Sequence, residues 1–410
     1  MASDNWTPAL VLDSDKYWGL GILRSLGRLG IPVHTVSYNP KAPAFFSTYC
    51  KGRFTLHPRG LSERSLQTLL EIGRKIGQRS ILIPCSDEFA MYIAEHANTL
   101  REWFTFPDQR ADLLYSLCSK KDMHYLAKRF NIPTAETAFP RCLDDVLNFL
   151  HTAPFPIILK QIISWPPMSC EGLLVHNERE LVDTYEALKA SEKQNLLLQE
   201  YIPGGDDSQW LFTGYFDERS NCLAGFTGRR IRQWPIHAGV TTLGVCQRNE
   251  TIAGPAKNLL HAIGYKGIVA IDYRFDARDG QYKVLDINPR IGANTRLFVA
   301  DNGIDVARAL YFDMTGRPAT TQAAAPEGRK WVVEDNDLKS SLLRLFDRRF
   351  TATQWINSYR GVREAAYFSL DDPGPFLQML THNLVESLTP RRMRQLPQRL
   401  ARSRNLAQIP

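Results

Sequence analysis

The stretch KVLDINPRIGANTR at 283–296 constrains this chain more than any other. Val284 and Leu285 read as the end of a buried strand, after which Asp286, Asn288 and Arg290 recur at every second position. Alternate side chains of an extended backbone project from one face. One strand end therefore presents two oxygen donors and a fixed cation together. Just upstream, GIVAIDYRFD at 267–276 and QYKVLDINPR at 281–290 are joined by ARDG, a turn suited to a hairpin. A register that puts both acids on one face sets Asp272 beside Asp286. Two carboxylates and an amide oxygen suit Mg2+ or Mn2+ rather than zinc, and magnesium completes its shell with substrate phosphates. A guanidinium such as Arg290 suits a phosphoryl group or a carboxylate in the same place. Taken alone, the segment also fits a strand-ending turn, because Asp, Asn and Pro are turn formers.

The first hundred residues alternate β-rich and helical stretches. ALVLD (9–13), PVHTVSY (32–38) and SILIPCSD (80–87) read as buried strands, and 17–29, 62–76 and 88–100 as helices, which is the pattern of a small parallel sheet. After the first strand, Gly19, Gly21 and Gly27 only loosely match a dinucleotide fingerprint, and TVSYNP supplies no ribose-binding acid after the second. Tight strand-to-helix packing is the favoured reading of these glycines. It also weighs against an NAD-dependent oxidoreductase.

From Cys118 the pattern changes. SKKDMHYLAKRFNIPTAET reads as a helix and an extended segment, and FPIILKQI as a strand carrying Lys160 near its end. A loop, SWPPMSCEG, then precedes a short strand, a helix at 178–190 and the strand LLLQEYIPGGDD, which runs into a Gly-Gly turn and two acids. Antiparallel strands around WLFTGYF and CLAGFTGRRI and a helix at 252–263 lead to the hairpin. In GRRIRQWPIHAG, simple alternation puts Arg230 and Arg232 on one face and Arg229 on the other.

This order of lysine strand, loop, acidic turn and hairpin acids resembles the ATP-grasp superfamily, and within it the carboxylate–amine ligases. The similarity runs from about Ser119 to Gly316, with VLDINPR as its most specific piece; Asp286 stands where the family usually has glutamate. The resemblance implies an α/β (α+β) chain, an ATP-grasp fold preceded by a small parallel-sheet, Rossmann-like N-terminal domain. The expected division is 1–115 for that domain, 116–196 for the lid subdomain, 197–320 for the subdomain with the metal and phosphate site, and 321–410 for a helical extension. It implies Asp272, Asp286 and Asn288 as metal ligands, with Asp272 again in place of glutamate. Lys120 and Lys160 correspond to the phosphate lysines, Lys121 being an equally placed competitor for the first. Gln199, Glu200 and Ile202 fall on the adenine-contacting segment, and Asp207 at the ribose position. Arg290 and Arg230 are the expected catalytic cations. The lid departs from the family, with one glycine and two adjacent prolines in ISWPPMSCEG.

The implied cofactors are ATP and Mg2+ or Mn2+, and the implied substrates a small carboxylate and an amine joined through an acyl phosphate. A carboxylase or carbamoyl-phosphate type of enzyme and a catalytically weak nucleotide-binding regulator are the alternatives. Seven scattered cysteines without a CxxC pair argue for reduced thiols. The start has no signal-like region and no window suits a spanning helix, so cytoplasmic residence is the expectation. Of the net charge of +7, most belongs to PRRMRQLPQRLARSRN at 390–405, which holds six arginines and no acid. Such a tail is most simply a solvated end. With the amphipathic segment before it, it can also hold the chain peripherally at an anionic membrane face. No nucleic acid is expected as a partner, and a homodimer is in keeping with the superfamily.

Overall fold

The structure, a computed structural model, describes residues 6–56, 60–163, 172–192, 195–236, 239–318 and 326–387. The lid segment 164–171 and the arginine-rich tail lie outside the described residues.

Three sheets organise the chain. The first is parallel, with β1 (Ala9–Leu12), β2 (Val33–Ser37), β3 (Cys50–Thr55), β4 (Ser80–Pro84) and β5 (Phe104–Thr105) in the order β3-β2-β1-β4-β5. Buried on both faces, β1 reads as an unbroken apolar run. The order switches direction beside β1, so a crevice opens past the C-terminal ends of β1 and β4. The two outer strands, β3 and β5, had no distinct signal in the sequence.

The helix Tyr17–Gly27 follows β1 and is buried along most of its length. A Cβ on Gly19 would lie 2.7 Å from the Ser14 Cα, and one on Gly21 2.7 Å from the Arg296 Cγ. These glycines therefore serve close packing, as the loose fingerprint suggested. One core cluster unites Leu20 and Leu23 of this helix with Leu211, Phe226 and Trp331, fastening the N-terminal unit to the large sheet.

The second sheet is antiparallel: β6 (Thr137–Ala138), β7 (Ile157–Gln161), β8 (Leu173–Val175) and β9 (Leu196–Glu200), in the order β6-β9-β7-β8. The third holds β10 (Gln209–Phe216), β11 (Cys222–Trp234), β12 (Val240–Cys246), β13 (Gly267–Asp276), β14 (Gln281–Asn288), β15 (Lys330–Val332) and β16 (Val362–Ala365), in the order β14-β13-β10-β11-β12-β15-β16. The Val284 amide donates to the Pro133 carbonyl at 2.8 Å, tying the chain that enters the second sheet to the hairpin of the third.

The segment after residue 326 corrects one expectation. Within 321–410, expected to be a helical extension, the helices Glu334–Phe346 and Ala352–Ser358 give way to β16, and β15 and β16 extend the large sheet. The short β16, with only four residues, carries too little alternation to be read locally. Buried ion pairs lock this segment in place: Arg24 donates to Asp372 at 2.9 Å, and Arg232 donates to both carboxylate oxygens of Asp337 at 2.8 Å.

Candidate active site

The hairpin β13–β14 places Asp272 directly opposite Asp286, and Ala270 opposite Asn288. Opposed residues of an antiparallel pair share a face, so the two carboxylates stand together. A bulge between Asp272 and Tyr273 keeps this register while the rest of the hairpin shifts by one. Beyond the strand end, Arg290 turns back onto the same group, its Nη2 donating to Asn288 Oδ1 at 3.0 Å. Its Nε donates to Asp87 Oδ1 at 2.9 Å. Asp87 opens the helix Asp87–Glu95 at the crevice of the parallel sheet, so the N-terminal unit contributes directly to the site.

Across the large sheet, Arg230 Nη2 donates to Asp272 Oδ1 at 2.6 Å, and its Nη1 donates to the Gly239 carbonyl at 2.8 Å. Burial raises the Asp272 carboxyl above the usual carboxylate range; Arg230 opposes that rise and the neighbouring Asp286 adds to it. The expectation that Arg230 and Arg232 share a face is overturned. A bulge makes Arg230 and Arg232 pair with consecutive residues Gly244 and Leu243, so they point to opposite sides. Arg232 instead carries the buried Asp337 pair, while Arg229 donates to Gln247.

From the second sheet, β7 sends Lys160 toward the same carboxylates. Its Nζ donates to Gln199 Oε1 at 2.8 Å on the neighbouring β9, and the Gln199 amide nitrogen reaches Thr137 at 3.3 Å. Burial, reinforced by the charge of Lys120, pushes the Lys160 amine down to about 8, with Asp286 acting against the shift. Lys120 begins the helix Lys120–Arg129, and its amide donates to the Ile162 carbonyl at 2.9 Å just past β7. Lys121 lies instead with its amine 5.8 Å from the Phe139 ring centre. Of the two, Lys120 is the one whose charge acts on Lys160.

The segment after β9 holds the other expected nucleotide contacts. The Glu200 carboxylate is engaged by Arg278, by Lys283 at 3.8 Å and by the Glu136 amide at 3.1 Å. The Glu200 amide is committed as well, donating to the Glu136 carbonyl at 2.8 Å, so the main chain past it, at the buried Ile202, rather than the acid itself, is left for a ligand. Of the two acids that follow, Asp206 is buried against Gln233 and Arg344, while Asp207 is exposed in the turn Asp206–Ser208.

Sequence reasoning missed Arg274. It stands two residues after Asp272 on the same face of β13, buried, with Nη2 donating to the Gly204 carbonyl at 2.6 Å and its guanidinium 5.5 Å from the Tyr201 ring centre. The run AIDYRF held that signal, since alternation from Asp272 points straight to Arg274. The acids and amide form a hard, oxygen-only donor set. Among the described residues no group of three or more His, Cys, Asp or Glu side chains gathers to hold a metal. Two carboxylates and Asn288 therefore fit a magnesium-like ion that takes its remaining ligands from water and phosphate, not a fully protein-ligated ion.

Comparison with known proteins bears on this geometry. No family model matches the chain. It is 27% identical over 266 residues to the D-aspartate ligase of Enterococcus faecium, an alignment covering 59% of this chain and 61% of that protein. The chain thus spans less than two thirds of that relative. Among solved structures, the biotin carboxylase domain of Hydrogenobacter thermophilus 2-oxoglutarate carboxylase, in complex with MgADP, ADP and bicarbonate, superposes with a TM-score of 0.60 at 16% identity, covering 78% of this chain and 72% of that one. The L-amino acid ligase of Bacillus licheniformis gives 0.59 at 13% identity, covering 80% and 79%. The chain therefore shares the fold of these structures, which agrees with the ATP-grasp architecture expected from its sequence.

Proposed function

We propose that the chain is an ATP-dependent ligase that activates a small carboxylate as its acyl phosphate and couples it to an amine. The observation that carries this reading is the cross-strand pair Asp272–Asp286 facing Lys160, flanked by Arg230 and Arg290. The substrate carboxylate attacks the γ-phosphoryl group, ADP leaves, and the amine then attacks the acyl carbon and expels phosphate. A Mg2+ or Mn2+ ion held by Asp272, Asp286 and Asn288 supplies neutralisation of phosphate charge when bound. Lys120 and Lys160 bind phosphate oxygens, Arg290 steadies the acyl group, and Arg230 offsets charge on the transferred phosphoryl. The main chain at Ile202 receives the adenine, and Asp207 the ribose. Catalysis is then a matter of alignment and fixed charge rather than a covalent enzyme nucleophile.

Phosphate release from ATP and Mg2+, screened with pools of carboxylates and amines, tests the reading. Release that requires both an acid and an amine, and that disappears in Asp286→Ala/Asn288→Ala, is the expected outcome; release with acid alone, or none from any pool while ATP binds, rejects it. The likeness to a biotin carboxylase domain crystallised with bicarbonate supports a second reading, in which bicarbonate is the carboxylate. Incorporation of labelled bicarbonate in the same screen separates the two.

No helix among the described residues is long and apolar enough to cross a membrane. The helix Gly374–Ser387 exposes Leu377, Leu380, Leu384 and Val385 immediately before the arginine-rich sequence, which supports peripheral contact with an anionic membrane from the cytoplasmic side. A homodimer remains the expected assembly.

A further inference from the structure

Gln233 has no part in the ligase reading, yet its side chain joins two regions of the site. It is 1% exposed and lies three residues past Arg230 on β11. Regular alternation sends side chains three apart to opposite faces. The register shifts on either side of Arg232 let these two meet. Arg230 Nη1 donates to Gln233 Oε1 at 3.1 Å, and Gln233 Nε2 donates to Asp206 Oδ1 at 3.0 Å. The other oxygen of Asp206 accepts from Arg344 of the helix Glu334–Phe346. From the same helix the Ser340 hydroxyl donates to the Gln233 carbonyl at 2.9 Å, so Gln233 is fixed at both its main chain and its amide.

The chemistry of its neighbours sets the orientation of that amide. A guanidinium only donates and an ionised carboxylate only accepts. Of the two ways round, one alone satisfies Arg230 and Asp206 together, with the amide oxygen toward Arg230. Asp206, pinned by Arg344, thus decides what Gln233 offers to Arg230. The guanidinium of Arg230 is held on two sides. Its Nη2 lies on Asp272, and its Nη1 lies on Gln233 and on the Gly239 carbonyl at 2.8 Å. Asp272 is shared with the metal ion in the ligase reading, and a carboxylate that also faces a cation holds a guanidinium less firmly. The Nη1 contacts carry no such second duty. They keep the plane of the guanidinium when the hold of Asp272 weakens.

We propose that Gln233 is a positioning residue for Arg230: oriented by Asp206, it anchors Nη1 so that Nη2 stays at the carboxylate pair, where phosphoryl transfer takes place. This rests on the ligase reading and deepens it. Asp206 opens the turn Asp206–Ser208, whose next residue, Asp207, takes the ribose in that reading. The cation on the transferred phosphoryl and the turn at the ribose are therefore one hydrogen-bonded unit, Asp272–Arg230–Gln233–Asp206–Arg344. A side chain that served the frame alone would matter equally with and without Arg230, whereas a positioning residue matters only through it.

Steady-state phosphate release, with the acid and amine that the pool screen returns, tests this as a double-mutant cycle over wild type, Gln233→Leu, Arg230→Met and the double variant. Gln233→Leu should lower kcat about tenfold or more, in line with a lost hydrogen bond to a charged group. Its KM for ATP and its calorimetric affinity for MgADP should stay within about threefold, which also shows that the variant is folded. In the Arg230→Met background the same change should cost less than about threefold, because Gln233 has nothing left to hold. Three results overturn the proposal: a full further loss in the double variant, a kcat of either single variant close to wild type, or a loss confined to ATP and MgADP binding. Where Gln233→Leu does not fold, Asp206→Asn runs the same cycle. It frees the amide to turn, so kcat should fall with Arg230 present and hold in its absence; an equal fall in both backgrounds overturns the proposal. Turnover by wild type with an additive cycle sinks the positioning alone. Wild type that releases no phosphate from any pool sinks the ligase reading, and this inference with it.

Discussion

Replacing Lys160 by methionine separates what this lysine costs the resting chain from what it contributes to nucleotide binding. Its amine lies at about 8 instead of the ordinary 10.5, through burial and the charge of Lys120. At about 1.4 kcal/mol per pH unit, that gap corresponds to roughly 3 kcal/mol against the charged form, which partial exposure of the side chain reduces to about 1–2 kcal/mol. Because the folded value lies below the unfolded one, the penalty is present in full below about pH 8. It fades as pH rises from there toward 10.5. Lys160→Met should therefore be at least as stable as wild type at pH 7, and the two should converge above pH 10. Binding should move the other way. A triphosphate restores the charge of Lys160, and loss of that contact costs about 1.5–3 kcal/mol, or roughly 10- to 150-fold in affinity. Isothermal titration of a non-hydrolysable ATP analogue with Mg2+, repeated at pH 8.5–9 in buffers of different ionisation enthalpy, measures both affinity and proton uptake. Affinity of Lys160→Met within threefold of wild type, or no proton uptake by wild type at that pH, refutes the reasoning.

Other perturbations act on the frame. Asp337 is fully buried and accepts from Arg232 twice, from Thr242 at 2.9 Å and from Tyr359 at 2.5 Å, so Asp337→Ala strands a buried guanidinium. Urea unfolding should show a loss of about 3–5 kcal/mol; a loss under 1 kcal/mol contradicts this. Gly19→Ala forces a Cβ to within 2.7 Å of the Ser14 backbone and should cost about 1–3 kcal/mol in the same assay, whereas an unchanged midpoint rejects the packing role. Flotation with anionic vesicles should recover the full chain, and recovery should drop on replacing Leu377, Leu380 and Leu384 by serine or on ending the chain at Leu388; equal recovery of all three rejects peripheral contact.

The legible parts of the site were those set by local alternation. VLDINPR and the ARDG turn sufficed to pair Asp272 with Asp286, because a short hairpin fixes its own register. Lys160 was legible for the same reason, as the last cation of an apolar strand. What escaped depends on partners distant in the chain. The bulge that turns Arg232 away from Arg230 is set by pairing with β12 and by Asp337, about a hundred residues further on. β15 and β16 join the large sheet through contacts that no short window encodes. Lys120 and Lys121 are equivalent by position and separate only because Phe139 lies near one and Lys160 near the other. Arg274 lies within the same local alternation, two residues past Asp272 on β13, and its partners Gly204 and Tyr201 are far away in the chain.

The resting chain already fills the anion seats of Arg290 and Arg230, with its own Asp87 and Asp272. An arriving carboxylate or phosphate therefore does not meet bare cations; it displaces a tethered competitor of the same charge. Each guanidinium is already neutralised by a carboxylate that cannot leave the chain, so attraction to a generic anion is largely cancelled. What survives the cancellation is shape and reach. Because Asp87 belongs to the N-terminal unit and Arg290 to the large sheet, the swap also loosens a clasp between the two, so occupancy of the site is felt at the seam of the molecule.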